Sequence, residues 1–102
     1  MKALVYTGVE ELVYREEKDP VETSGESILK VHASGICGSD MHAYHGKDER
    51  RIAPLIIGHE VSGVIQNGKF QGKNAVLNPL ITCGKCEYCT SGREHLCPNR
   101  VL

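Results

Sequence analysis

Short apolar runs, cut apart by glycine, proline and charged residues, recur along the whole chain, and little of it reads as helix. Residues 2–6 form one apolar segment, with Val5 and Tyr6, and Leu12-Val13-Tyr14 forms a second. Thr7-Gly8 between them is a turn signal, so the pair predicts a β-hairpin. Asp19-Pro20 and Ser24-Gly25 then break the chain. From Ile28 to Ala33 the pattern alternates, with Leu29, Val31 and Ala33 on one face and Lys30 and His32 on the other. That period predicts a half-buried strand with His32 on its solvent side. One or two helical turns are expected from about Gly38, ending before Gly46, and Lys47 to Arg51 reads as a solvated charged loop. Val61 to Gln66 predicts a further strand, in which Gly63 marks a bulge or a close backbone approach. Asn67-Gly68 is a turn, and Gly72-Lys73-Asn74 leads into a last strand at Ala75–Leu77. Many short strands with frequent glycines imply a mainly β fold, a small barrel-like domain without internal repeat, low-complexity segment or linker.

Composition narrows the function classes. The 102 residues are enough for one domain with a modest core. Lys plus Arg is 12 and Asp plus Glu is 13, which lacks the basic excess of a nucleic-acid surface. No apolar run approaches the ~18 residues that would cross a membrane. The first residues, Met1 to Tyr6, lack the long apolar stretch of a signal peptide, so a cytoplasmic location is expected. In a reducing compartment five cysteines point to metal or redox chemistry rather than to a disulfide framework.

Four of those cysteines lie together. Cys83, Cys86, Cys89 and Cys97 follow the spacing C-x2-C-x2-C-x7-C. Four thiolates this close in sequence can close around one tetrahedral zinc and leave no open position, as in a structural site. Gly84 and Gly92 ease the turns. A four-thiolate iron site is chemically compatible with the same donors. The run C-x2-C-x2-C is also shared with ferredoxin-type clusters, which continue as C-x3-C-P, whereas here the last gap is seven residues and Pro98 follows Cys97. His95 inside the lobe could replace a thiol, but with four cysteines available it reads as a surface residue.

The remaining chemistry lies between Gly35 and Gly63. Its two clusters offer a thiol (Cys37), a hydroxyl (Ser39), imidazoles (His42 and His59) and carboxylates (Asp40 and Glu60). Zinc accepts sulfur, imidazole nitrogen and carboxylate oxygen, and a catalytic zinc keeps one position open. Cys37 and His59 would supply two ligands, with Glu60 a third or a reserve, although on their own a lone cysteine and a lone histidine this far apart in sequence are more often core residues. The expected helix directs its positive end at the Cys37 sulfur. Ser39 and His42, three residues apart, share one helix face and offer a path for a proton.

Taken in order, Gly35-Ile36-Cys37-Gly38-Ser39-Asp40-x-His42, Pro54-x3-Gly58-His59-Glu60-x2-Gly63, Asn78-Pro79 and the four-cysteine lobe resemble the N-terminal part of the zinc-dependent medium-chain alcohol and polyol dehydrogenases. The resemblance covers essentially the whole chain. It implies a GroES-like, partly open β-barrel over 1–102 with a zinc lobe at 83–97. It implies that Cys37 and His59 are catalytic zinc ligands, that Glu60 is a neighbouring acid or alternative ligand, and that Asp40 orients the liganding histidine. Ser39 and His42 become the proton relay, and Cys83, Cys86, Cys89 and Cys97 the structural zinc ligands. The implied reaction is oxidation of a small-molecule alcohol or polyol with NAD or NADP.

Two departures accompany it. The segment from Gly63 to Gly72 is shorter than the usual strand–turn–strand. The family's third catalytic ligand, its Rossmann domain and any G-x-G-x-x-G fingerprint are not found in the 102 residues. The expectation is therefore a segment of a longer enzyme, inactive alone, whose exposed strand edges favour a homo-oligomer. A stand-alone zinc-binding interaction module without catalysis is the alternative, to be told apart by the length of the parent reading frame. A sulfur-ligated iron carrier would be coloured, and zinc is not.

Overall fold

The N-terminal hairpin is built from β1 (Lys2–Gly8) and β2 (Glu11–Glu16), with Val5 opposite Val13 and Tyr6 opposite Leu12. Its tip docks on α1 (Gly38–Tyr44): the Glu10 N–H donates to the Tyr44 carbonyl at 2.7 Å. Glu10 itself is left-handed, with φ 58°. β4 (Leu55–Ile56), a strand too short to announce itself in the sequence, pairs with the other edge of β1. The computed structural model describes residues 1–101 and gives this sheet the order β2-β1-β4. The central strand supplies most of the small apolar core: Ala3, Val5 and Tyr6 are buried, joined by Ala43 from α1.

A second antiparallel sheet has the order β3-β5-β6, from β3 (Leu29–Gly35), β5 (Glu60–Ile65) and β6 (Asn74–Val76). Asn67 ties its turn to the chain before β3, accepting from the Ile28 N–H at 2.6 Å and donating to the Glu26 carbonyl at 3.2 Å. Gly63 is a point of close approach, because a Cβ there would run into the Lys30 carbonyl. The bulge lies across the ladder from it. Val31 faces Gly63 and Ala33 faces Ser62, so His32 is an extra residue in β3.

Two expectations are corrected. The predicted half-buried strand at 28–33 forms, but Val31 is 54% exposed and Ala33 is exposed as well. No second layer covers that face among the described residues, and the bulge interrupts the alternation on which burial was read. His32 is exposed, as the pattern predicts. The charged stretch 47–51 is not a fully solvated loop: the Asp48 and Arg51 side chains are only 10% and 15% exposed. Asp48 is held by Arg50, and Arg51 is turned inward.

The C-terminal lobe contains α2 (Glu87–Thr90) and a 3₁₀ turn at Glu94–Leu96. Its base is closed by paired hydrogen bonds between Ile81 and Val101, both 2.9 Å. No helix among the described residues is long and apolar enough to cross a membrane.

Candidate metal centres

Strand pairing brings the two motif clusters together. Gly35 at the end of β3 lies opposite Glu60 at the start of β5. Cys37, two residues beyond Gly35, is therefore carried towards His59, which immediately precedes Glu60. Ligand atoms of Cys37, His59 and Glu60 all lie within 4.8 Å of one another. Zinc bonds of ~2.0–2.3 Å put tetrahedral ligands roughly 3.3–3.8 Å apart, so this sulfur–nitrogen–oxygen set fits one ion after a small contraction. Cys37 and His59 are half-buried and Glu60 is exposed. The Glu60 carboxylate lies over Gly35, where a Cβ would sit 2.5 Å from Oε2.

Asp40 stands behind this set and is 4% exposed. Its Oδ2 accepts from the Cys37 N–H at 3.2 Å. Its Oδ1 lies 3.5 Å from His59 Nδ1 and 3.6 Å from Arg51 Nη1, making a conventional hydrogen bond to neither. The other ring nitrogen, Nε2, lies 3.5 Å from Ser39 Oγ. With Asp40 on the Nδ1 side, Nε2 is the nitrogen left to face Ser39 and an ion. His42 is on the same helix but exposed, and no side-chain hydrogen bond joins it to Ser39 among the described residues. Gly35 and Arg51 were not singled out as site residues from sequence. The signal available for Arg51 is that a buried Asp40 needs a cation, and the first Lys or Arg residues that follow it in sequence are Lys47, Arg50 and Arg51.

In the lobe, Cys83, Cys86, Cys89 and Cys97 place their sulfurs within 4.8 Å of one another, and all are free thiols. Cys83 Sγ and Cys89 Sγ are 3.8 Å apart, and Cys86 Sγ and Cys89 Sγ 3.5 Å. A zinc with four sulfurs at ~2.3 Å spaces them at about 3.8 Å, so the lobe fits a closed four-thiolate site. The local backbone prepares it: the Cys86 N–H donates to Cys83 Sγ at 3.3 Å, and the Cys89 N–H to Cys86 Sγ at 3.5 Å. Hydrogen bonds from the backbone N–H groups of Lys85 and Cys86 pull the Cys83 thiol down to about 6 from an ordinary value of 9.0. Cys97 is fully buried, and His95 stays outside the sulfur cluster.

Residues 23–102 match the alcohol dehydrogenase GroES-like domain. The chain belongs to that family. The match takes in both metal centres and begins before β3. Within this GroES-like family it is 43% identical over 83 residues to 2-dehydro-3-deoxy-L-galactonate 5-dehydrogenase of Pseudoalteromonas atlantica, covering 74% of this chain and 24% of that protein. It is 37% identical to sorbitol dehydrogenase of Bacillus subtilis, covering 97% of this chain and 31% of that protein. Among solved structures, the rspB alcohol dehydrogenase of E. coli CFT073, complexed with NADH, superimposes with a TM-score of 0.82 at 32% identity. That superposition covers 100% of this chain and 31% of the other. The GroES-like chain thus spans about a quarter to a third of the length of these relatives.

Proposed function

We propose that these residues are the N-terminal catalytic segment of a zinc-dependent dehydrogenase that oxidises an alcohol or polyol with NAD or NADP. The observation that carries the reading is the convergence of Cys37, His59 and Glu60 within 4.8 Å, beside a separate four-thiolate lobe. Its dehydrogenase relatives, one of them solved with NADH, support it. The chemistry supplied by the bound groups is Lewis acidity from zinc and hydride acceptance by the nicotinamide. Cys37 and His59 would hold the ion, with Glu60 a third donor or a reserve. Asp40 fixes the His59 ring from its Nδ1 side, the usual partnership of a metal-bound imidazole. Ser39 Oγ, 3.5 Å from His59 Nε2, faces the centre and would take the substrate proton. His42, exposed on the same helix, delivers that proton to water. The lobe zinc, with no open position, is structural.

The nicotinamide site is assigned to residues outside these 102, which hold no G-x-G-x-x-G. Five free thiols suit a reducing compartment, and we assign the protein to the cytoplasm. The open edges of β2 and β6 suit association with a second copy.

The test is made in the full-length parent. Cys37→Ser should lower turnover at least ~100-fold, because even outer partners of a metal ligand cost about 10–100-fold when removed. Ser39→Ala or His42→Ala should slow turnover by about 10²–10⁴ while zinc content stays at the wild-type level, as expected of proton-transfer groups. Normal turnover by Cys37→Ser would overturn the reading.

A further inference from the structure

Asp40 raises a question of charge that the proposed function does not answer. It is a carboxylate with 5% of its side chain exposed, and its inward oxygen has no hydrogen-bond partner among the described residues. A buried carboxylate requires a counter-charge, and a neutral imidazole supplies none. Among the described residues the Lys or Arg side chain in reach is that of Arg51, whose Nη1 lies 3.6 Å from that oxygen and whose side chain is itself only 15% exposed. Arg51 is held in place from its other end, with Nε 3.8 Å from Asp48 Oδ2. Asp48 is fixed in turn by Arg50, which donates from Nε at 2.9 Å, from Nη2 at 3.0 Å and from its backbone N–H at 3.1 Å. A continuous line of alternating charge, Arg50–Asp48–Arg51–Asp40, therefore runs from the surface loop to the imidazole of His59.

We propose that Arg51 is a positioning residue for the Cys37–His59–Glu60 centre, acting through Asp40. The inference rests on the metal reading of that centre but concerns a residue outside the donor set. Arg51 and His59 approach the same Asp40 oxygen. The guanidinium compensates the buried charge, so Asp40 stays in its pocket as an acceptor. His59 Nδ1 then has one fixed acceptor and carries its proton there, leaving Nε2 unprotonated and facing the open side of the centre. Without Arg51, an uncompensated Asp40 would turn outward or recruit water. The His59 ring would lose its fixed partner and populate both tautomers, of which only one can bind an ion through Nε2. The guanidinium matters for its shape as well as its charge. A planar fork can face Asp40 through Nη1 and Asp48 through Nε at once, and an ammonium cannot.

Three variants of the 102-residue chain test this: Arg51→Met, Arg51→Gln and Arg51→Lys. Cobalt(II) is the metal probe. The four-thiolate lobe, whose donor set is separate from the Cys37–His59–Glu60 group, is the internal control for folding. The wild-type chain should take up two equivalents, and Arg51→Met and Arg51→Gln should keep the lobe spectrum. Their affinity at the second centre should be about 10–100-fold weaker, the usual cost of removing a partner behind a ligand. Arg51→Lys should recover part of the loss. If Arg51→Met does not keep the lobe spectrum, Arg51→Gln carries the comparison. The second readout is ¹⁵N NMR of the His59 ring in the metal-free chain. The wild type should show the Nδ1-protonated tautomer, and the neutral variants a mixture. A wild-type chain that takes up only one equivalent would contradict the metal reading, and the His59 tautomer would then decide the role of Arg51 alone. An unchanged His59 tautomer in a folded neutral variant would overturn the inference, as would wild-type affinity at the second centre.

Discussion

Gly35 is a residue whose missing side chain leaves room for a functional group. The Glu60 carboxylate occupies the space a Cβ would fill, 2.5 Å from Oε2 and 3.2 Å from the Glu60 Cβ. Gly35→Ala should therefore push the flexible carboxylate aside while leaving the β3–β5 ladder intact. The expected outcome is an affinity for zinc or cobalt at the second centre about tenfold lower, in the range seen when groups around a metal are disturbed. Metal at the lobe should be unchanged, and titration against a competing chelator would resolve the two. Equal affinity in Gly35→Ala would show that Glu60 is not a donor. The candidate site side chains were legible in the sequence, because Cys37, Asp40, His59 and Glu60 are chemically distinctive and fall in two short clusters. Gly35 and Arg51 were not. A glycine shows its reason only when its neighbour across the sheet is known, and an arginine in a charged run looks solvated until a buried carboxylate is found opposite it.

At the scale of elements, the hairpin, α1, the glycine-interrupted strand and the last strand follow from local pattern, because each is marked by its own apolar run and by the glycine or turn residues that flank or interrupt it. Burial of β3 does not, since alternation shows that two faces differ and not whether anything covers them. The lobe is the most local element, with all four thiols within fifteen residues, and spacing alone announced its cluster. Its stability should depend on pH in a definite direction. The Cys83 thiol is drawn down from 9.0 to about 6 by the backbone N–H groups of Lys85 and Cys86. A lowered acid contributes stability that is complete above its ordinary value and is lost as pH falls through its folded value. In the metal-free chain, amide protection across 83–97 should thus decline between pH 9 and pH 6 and level off below it. In the zinc-loaded chain acidification should release the lobe zinc, since all four sulfurs must be deprotonated to bind. A chromophoric chelator follows the release. A lobe equally protected at pH 5 and pH 8 without metal would contradict this account.

The whole molecule is two thin sheets and a lobe, with few residues fully buried. Apolar side chains such as Ile36, Val76 and Ile81 remain 81%, 79% and 69% exposed. With so little core, the Cys37–His59–Glu60 cluster depends less on packing than on the course of the strands that bring its residues together. The extra residue His32 in β3 matters for that reason. A bulge bends its strand and increases its twist, and this one lies five residues before Cys37. Deleting His32 should let Val31 and Ala33 pair as ordinary neighbours and straighten the end of β3. Cys37 would then be aimed away from His59. The expected product keeps one metal, in the lobe, and loses the other, as native mass spectrometry would count; retention of both would sink the idea. In the irregular segment 17–28, by contrast, a residue gained or lost should leave the metal count at two, because surface connections absorb changes of length. Evolution would then meet two different rules in neighbouring stretches of one short chain. Insertions and deletions can drift in the connection between β2 and β3, while inside β3 a single-residue indel would change the direction in which Cys37 points.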